Sequence, residues 1–154
     1  DSDPLQGLRV LLAEDNPVNL LLESEMLEGF GCRVTTAENG QIALETLSRV
    51  PQDLVLMDCQ MPFMNGYEAA RAIRRRERER GKHRIPIIAL TANAMQGDRE
   101  RFLGGGCDGY LAKPIETARF IDQIRQIWSA ATAREASRWS IAHSSRSSRP
   151  SPSS

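Results

Sequence analysis

The chain has 154 residues, the length of one domain with a modest tail, and 40% of them are hydrophobic, enough for a core without disulfides or structural metals. Its formal net charge is zero, so its overall charge gives no sign of nucleic-acid binding. Residues 71–84 nonetheless contain eight arginines and lysines against two glutamates, and we expect them on a solvated helix face. The three cysteines show no CxxC spacing, which favours reduced thiols over a disulfide framework or a zinc site.

Short apolar segments alternate with longer segments of helical character along the whole chain. In chain order, the predicted strands are Leu8–Ala13, Cys32–Thr36, Asp53–Met57, Pro86–Leu90 and Gly109–Ala112. The predicted helices are residues 17–29, 39–49, 66–80, 95–104 and 116–134. Continuous apolar strands suit a sheet that is covered on both faces. Five strand–helix repeats therefore predict an α/β fold, a doubly wound parallel sheet of five strands with five helices.

The two ends of the chain differ in composition from its middle. Residues 135–154 contain nine serines and two prolines, which predicts a Ser/Arg-rich disordered tail or linker, or a cloning scar. We therefore expect a single domain at residues 7–134, preceded by a leader or linker at residues 1–6. No apolar run approaches the roughly 18 residues of a membrane span, and the acidic start does not resemble a signal peptide. We expect no membrane contact by this part of the protein.

Polar side chains follow four of the five predicted strands. Glu14 and Asp15 follow the first strand, Asp58 the third, Thr91 the fourth and Lys113 the fifth. The carboxyl ends of parallel strands meet at one edge of a sheet, so we expect these side chains to converge there. Each of them alone could be a helix cap or an ordinary loop residue. Their joint occurrence at strand ends favours a functional site.

The residue types at these positions indicate one kind of chemistry. Clustered carboxylates repel one another, and a hard divalent cation such as Mg²⁺ removes that cost. A carboxylate beside the cation can attack a phosphorus atom and form an acyl phosphate. The cation, the ammonium group of Lys113 and the hydroxyl of Thr91 would then surround the charge of the transferring group. The pattern predicts phosphoryl transfer to one of these carboxylates.

Four separate stretches resemble the motifs of response-regulator receiver domains in residue type, order and spacing. They are residues 10–16, 56–62, 89–92 and 109–114, within a resemblance that covers about residues 7–130. The resemblance implies a flavodoxin-like fold with strand order 2-1-3-4-5, and a domain that accepts a phosphoryl group from phosphohistidine. It also implies that the domain catalyses its own phosphorylation and dephosphorylation.

The resemblance implies a role for each matching acidic-pocket residue. Asp58 would be the phosphoacceptor, Asp15 would bind Mg²⁺ directly, and Glu14 would act mainly through a bound water. The backbone carbonyl of Gln60 would complete the protein ligands, and Mn²⁺ would be able to replace Mg²⁺. Gln60 and Asn93 would lie near the path of the hydrolytic water and tune the lifetime of the acyl phosphate.

Further implied roles concern the response to phosphorylation. Lys113 would bridge Asp58 and the phosphoryl group, and a cis peptide bond would precede Pro114. Thr91 would move to bond the phosphate, and Tyr110 would change rotamer with it. Thr91 and Tyr110 would therefore form the switch.

Residues 14–19 and 57–62 most resemble the receivers of hybrid sensor histidine kinases, which exchange phosphate with histidine phosphotransfer domains. The parent protein would then be a histidine kinase, with this part of it in the cytoplasm. Whether another part is anchored in the inner membrane stays open. A free-standing single-domain response regulator is the alternative. A Mg²⁺-dependent aspartyl phosphatase is disfavoured because it needs a second Asp soon after the nucleophile, where this chain has Cys59 and Gln60. A degenerate interaction domain is disfavoured by the complete acidic pocket.

The first helix carries more leucines than one inward stripe needs. Its inward stripe is predicted to run through Leu22, Met26 and Phe30. Leucines off that stripe, beside the acidic pocket, predict a docking patch for a partner helix of a histidine kinase or phosphotransfer domain. Scattered surface leucines are also common without any function. The residues expected in the patch are Val18, Leu20 and Leu21.

Overall fold

A computed structural model describes residues 3–92 and 105–147, with side chains described as far as residue 137. The strands are β1 (Arg9–Ala13), β2 (Arg33–Ala37), β3 (Leu54–Asp58), β4 (Ile87–Thr91) and β5 (Gly109–Ala112). The helices within the described residues are α1 (Pro17–Gly29), α2 (Gly40–Arg49), α3 (Gly66–Arg80) and α4 (Thr117–Ser147). The helix predicted at residues 95–104, and Asn93, lie outside the described residues.

The five strands form one parallel sheet in the order β2-β1-β3-β4-β5, as the resemblance implied. All five residues of β3 and all five of β4 are buried, which explains their continuous apolar sequences. One core lies between the sheet and helices α2 and α3, and a second lies between the sheet and helices α1 and α4. The predicted doubly wound α/β fold is confirmed.

Asparagine caps fix the start of each of the first three helices. Asn16 Oδ1 accepts the backbone N–H groups of Val18 and Asn19, directly after the polar residues that follow β1. Asn65 and Glu68 form a reciprocal capping box at the start of α3. A Cβ atom on Gly66 would lie 2.5 Å from the carbonyl oxygen of Asp58, so only glycine fits this close approach. These turns hold the loops after β1 and β3 tightly against the sheet edge.

The predicted inward stripe of α1 is confirmed at Met26, which packs half-buried against the core, and wrong at its other two positions. Leu22 and Phe30 are 52% and 40% exposed, whereas Glu23 and Leu27 are buried against the sheet. The helix is rotated by about one residue, roughly 100°, from the predicted orientation, and a carboxylate occupies a position that an apolar residue was expected to fill. Because Glu23 is charged, the hydrophobic pattern did not identify the face of α1 that is buried.

The rotation of α1 also changes the expected docking patch. Leu20 is half-buried and packs against the core, so its assignment to the patch is wrong. Val18 and Leu21 are 64% and 60% exposed, as predicted. Leu22 joins them on the surface, and these three residues are called the α1 patch below.

Most basic residues of the arginine-rich helix α3 face solvent, but Arg74 is buried. Arg74 is 8% exposed and donates to Asp108 Oδ2, Glu77 Oε1 and the carbonyl oxygens of Gly106 and Ile85, each at 2.8 Å. A buried guanidinium is tolerable when its donors are satisfied in this way. Arg74 therefore ties α3 to the segments that precede β4 and β5.

Helix α4 continues past residue 134, its predicted end, to Ser147. No proline or glycine occurs between residues 115 and 149, so nothing in the local sequence stops the helix. The predicted tail boundary at residue 135 consequently falls inside the helix, and residues 148–154 lie outside the described residues. None of the helices in the described part of the chain combines the length and apolarity that crossing a bilayer requires.

Candidate metal centre

The loops at the carboxyl edge of the sheet bring the predicted polar residues to one place. Glu14 and Asp15 leave β1, Asp58 ends β3 and Thr91 ends β4, while Lys113 directly follows β5. Because β1, β3, β4 and β5 are adjacent in the sheet, residues that are far apart in sequence meet along one edge.

Three carboxylates form the centre of the site. Glu14, Asp15 and Asp58 each offer one oxygen, and these oxygens lie within 4.8 Å of one another. Glu14 and Asp58 are 1% and 2% exposed, whereas Asp15 faces solvent. Clustered oxygen donors with one open side suit a hard divalent cation that keeps some of its waters. The donor set therefore fits the predicted metal.

Lys113 supplies the positive charge beside the two buried carboxylates. Its Nζ atom lies 3.2 Å from Glu14 Oε1 and 3.3 Å from Asp58 Oδ1. Burial acts to lower the pKa of Lys113, but the charges of Asp58 and Glu14 outweigh it and raise the pKa above its usual value. The lysine is therefore held in its charged form. The peptide bond between Lys113 and Pro114 is cis, as the resemblance implied.

Asp58 is buried, and the groups around it stabilise its charged form only in part. Burial, followed by the neighbouring Glu14, raises the pKa of Asp58 to about 6. The backbone N–H of Gln60, which donates to Asp58 Oδ1 at 3.1 Å, and the charge of Lys113 act in the opposite direction. A cation bound at the three carboxylates would offset the remaining cost of ionising Asp58 and favour its nucleophilic carboxylate form.

The structure adds one acidic residue that the sequence reasoning missed. Glu23 on α1 is 1% exposed, and neither of its carboxyl oxygens has a hydrogen-bond partner among the described residues. Burial raises the pKa of Glu23 to about 7, and the positive charge of Lys113 acts in the opposite direction without cancelling it. Its spacing of four residues from the buried Leu27 was the sequence signal that could have identified it.

The predicted switch residues occupy neighbouring strands. Thr91 is 4% exposed and follows Leu90, whose register partner on β3 is Asp58. Tyr110 on β5 is the register partner of Ala89 and packs, half-buried, against the core beneath α2 and α3. Gln60 is exposed next to Asp58. The roles of Thr91, Tyr110 and the Gln60 carbonyl stay predictions.

Exposed apolar side chains lie on the helix that follows Asp15 and on the loop that follows Asp58. The α1 patch projects from the helix that begins two residues after Asp15. On the loop that follows β3, Phe63 is 88% exposed and has a backbone φ of 70°, an uncommon conformation for a residue other than glycine. An exposed aromatic ring held in a strained loop, five residues after Asp58, indicates a surface for contact with another molecule.

Comparison with known proteins identifies the family. The family model of the response regulator receiver domain matches residues 10–125. The chain is 48% identical to the receiver domain of a sensor histidine kinase from Pseudomonas aeruginosa, which was crystallised with a magnesium ion in its active-site cleft. The match covers 79% of this chain and 97% of that one, with a TM-score of 0.69. It is 32% identical to the receiver domain of Ssk1 from Saccharomyces cerevisiae, which was solved in complex with the histidine phosphotransfer protein Ypd1. That match covers 77% of this chain and 87% of the other, with a TM-score of 0.73.

Curated relatives include both multidomain and single-domain proteins. The chain is 44% identical over 126 residues to the sensor histidine kinase GacS of Pseudomonas protegens, a match that covers 82% of this chain but 14% of the kinase. It is 39% identical to the response regulator DivK of Brucella anthropi, a match that covers 75% of this chain and 92% of that protein. With motifs, fold and acidic centre in agreement, the chain belongs to the response regulator receiver domain family.

Proposed function

We propose that this receiver domain is the phosphoacceptor of a two-component phosphorelay and that Asp58 takes a phosphoryl group from a phosphohistidine. The observation that carries the proposal is the contact of Lys113 Nζ with both Asp58 and Glu14, inside a cluster of three carboxylates. An ammonium group in this position stabilises the Asp58 carboxylate before transfer and can meet the phosphoryl oxygens afterwards.

The acidic cluster is proposed to hold Mg²⁺, with Mn²⁺ as a substitute. Asp15, Asp58 and the carbonyl of Gln60 would be the protein ligands, and Glu14 would act through a water molecule. When bound, the cation neutralises charge on the oxygens of the transferring group. Support comes from the oxygens that lie within 4.8 Å of one another, and from the magnesium ion in the cleft of the Pseudomonas aeruginosa receiver.

In the proposed step, an Asp58 carboxylate oxygen bonds to phosphorus while the N–P bond of the donor breaks. The electron pair of that bond stays on the imidazole nitrogen, so a donor protonated at its other nitrogen leaves as neutral imidazole. Lys113 pairs with the phosphoryl oxygens, and the Thr91 hydroxyl donates to them from the end of β4. Tyr110, one strand further, would follow the movement of Thr91 and convert phosphorylation into a change of surface.

The parent protein is proposed to be a hybrid sensor histidine kinase, with this receiver in the cytoplasm and any inner-membrane anchor elsewhere in the protein. GacS supports this proposal as a multidomain relative, of which the chain spans 14%. DivK supports the alternative, a free-standing regulator, because the chain covers 92% of it. Detection of the native full-length product with an antibody against this domain separates the two, since their masses differ several-fold.

The partner is proposed to be a histidine phosphotransfer domain or the kinase's own phosphohistidine domain, docked beside α1. The α1 patch and Phe63 offer exposed apolar surface on the elements that follow Asp15 and Asp58, and a partner's helix that presents its histidine to Asp58 would approach from this side. The complex of Ypd1 with the Ssk1 receiver is a precedent for this class of partner.

The central experiment removes the proposed acceptor. Asp58→Asn should abolish phosphorylation by acetyl phosphate and by a phosphorylated histidine phosphotransfer protein, measured as hydroxylamine-sensitive phosphate. Asp53→Asn is the matched control, because Asp53 lies just before the other end of β3 and pairs with Arg9 away from the site. The control should retain transfer. Undiminished hydroxylamine-sensitive phosphate on Asp58→Asn would refute the assignment.

A further inference from the structure

A second concave feature lies at the opposite edge of the sheet from the acidic centre. It is a groove of about 510 Å³ between the carboxyl-terminal halves of α2 and α3, closed on one side by the segments that lead into β3 and β4. Its volume falls within the range of about 300 to 1,000 Å³ that is typical of small-molecule sites. Because the strands are parallel, this edge holds their amino ends, so the groove is separate from the phosphorylation site.

The interior of the groove is apolar. Leu44 and Leu47 on α2, Ile73 on α3 and Ile85 before β4 contribute to its lining. Leu44 and Ile73 belong to the buried core, and the other two pack against it, so the groove opens directly onto the core of that layer. Gln52 also lines the groove, and its Oε1 atom is buried without a hydrogen-bond partner among the described residues. The lining therefore suits the apolar body of a ligand.

The rim of the groove is cationic. Arg76, Arg80 and Lys82 contribute to the lining, and Arg80 and Lys82 are exposed, with no ion pair to any side chain in the described part of the chain. Glu77 is the one acidic residue among the described residues that line the groove. Its two oxygens already accept from Arg74 at 2.8 Å and from the Ile85 backbone at 2.6 Å. The rim therefore presents a positive charge that the groove itself does not neutralise.

We propose that this groove binds a small organic anion with an apolar body and one acidic group, such as an aromatic carboxylate. The apolar lining would take the body, and the side chains of Arg80 and Lys82 would meet the acid. A protein partner or a second copy fits less well, because stable interfaces use about 20 to 30 residues on each side, whereas 13 residues line this groove.

The probe for the test is 2-naphthoate, with uncharged 2-naphthalenemethanol as its analogue, each titrated into the ¹⁵N-labelled chain and followed by NMR. Naphthoate should shift amide signals of residues 44–52 and 73–85 saturably, and the alcohol should bind about three- to thirtyfold more weakly. Arg80→Glu should weaken naphthoate binding by a similar factor and leave binding of the alcohol nearly unchanged. Ser48→Trp, at the exposed rim, should block both compounds.

The matched control is Arg78→Glu, which makes the same charge change on the same helix at a residue that lines a different depression. It should leave naphthoate binding within about twofold of wild type, because exposed charges away from the ligand are screened. Equal losses in Arg78→Glu and Arg80→Glu, equal affinity for the two compounds, or shifts outside the groove would each overturn the proposal. Concentration-dependent shifts of the same amides without ligand would identify an interface between copies instead, and would also overturn it.

Discussion

The ammonium nitrogen of Lys113 lies 3.3 Å from Oδ1 of Asp58, and this contact joins the end of β3 to the loop after β5. Lys113→Met should remove the main positive charge beside Asp58 and raise the pKa of Asp58 above its present value of about 6. Carboxyl ¹³C NMR in EDTA measures that pKa directly. Lys82→Met, at an exposed lysine beyond the end of α3, is the control and should leave it unchanged. An unchanged Asp58 pKa in Lys113→Met would contradict the charge pairing.

Glu23 makes the stability of the fold depend on pH. Its pKa is about 7 in the folded protein against 4.5 for an ordinary glutamate, so folding favours the protonated acid. Its contribution to stability is therefore complete below pH 4.5 and is lost as the pH rises to about 7. Glu23→Gln, which cannot ionise, should be more stable than wild type by about 1 to 3 kcal/mol at pH 8, and the difference should shrink towards pH 4.5. Urea unfolding in EDTA at several pH values checks this. A pH-independent difference would contradict it.

Metal binding should stabilise the folded domain. A cation held by Asp15 and its neighbours binds the native state better than the unfolded chain, so Mg²⁺ at about ten times its dissociation constant should add roughly 1.4 kcal/mol of stability. Asp15→Asn should lose most of this gain in a thermal melt. Glu25→Gln removes an exposed carboxylate from the outer face of α1 and should keep the full gain. Equal gains in both variants would locate the cation elsewhere.

The α1 patch gives a prediction about the partner. Leu21 is 60% exposed, so Leu21→Glu should leave the fold intact while it places a charge in the proposed interface. Transfer from a phosphorylated histidine phosphotransfer protein should slow about tenfold or more, whereas transfer from acetyl phosphate, which needs no docking, should not change. Val50→Glu makes the same change at a 43% exposed valine after α2 and should affect neither donor. Loss of transfer from acetyl phosphate in Leu21→Glu would indicate damage to the site instead.

The fold and the site could be predicted from the sequence wherever the chemical type of a residue matches its environment in the structure. The apolar runs of β3 and β4 are continuous because both faces of the sheet are covered. The polar residues at or just after the ends of β1, β3 and β5 converge because the carboxyl ends of parallel strands lie at one edge of the sheet. Both features predicted the fold and the candidate site.

The predictions failed where the chemical type of a residue does not match its environment, as with a charged residue at a buried position. Glu23 is a carboxylate at a buried helix position, and the hydrophobic pattern therefore placed the inward stripe of α1 about one residue away. Arg74 is buried within a run of mostly exposed arginines, and its acceptors include distant residues such as Asp108 and Gly106. Burial of charged groups depends on partners far along the chain, which local sequence patterns do not contain.

Thr91 and Tyr110 should couple the acceptor Asp58 to the rest of the domain. Thr91 is buried at the end of β4, one residue beyond the register partner of Asp58, and Tyr110 lies on the adjacent strand. Beryllofluoride at Asp58 imitates the charge and acceptor oxygens of a phosphoryl group, so it should draw the Thr91 hydroxyl towards it and release space for the tyrosine ring. Thr91→Ala should still bind beryllofluoride, because Lys113 and the carboxylates remain. The NMR shifts that binding induces around Tyr110 should become smaller. Thr91→Ser keeps the hydroxyl and should restore them, which separates loss of the donor from loss of packing. Shifts at Tyr110 that match wild type in Thr91→Ala would show that the signal leaves Asp58 by another route.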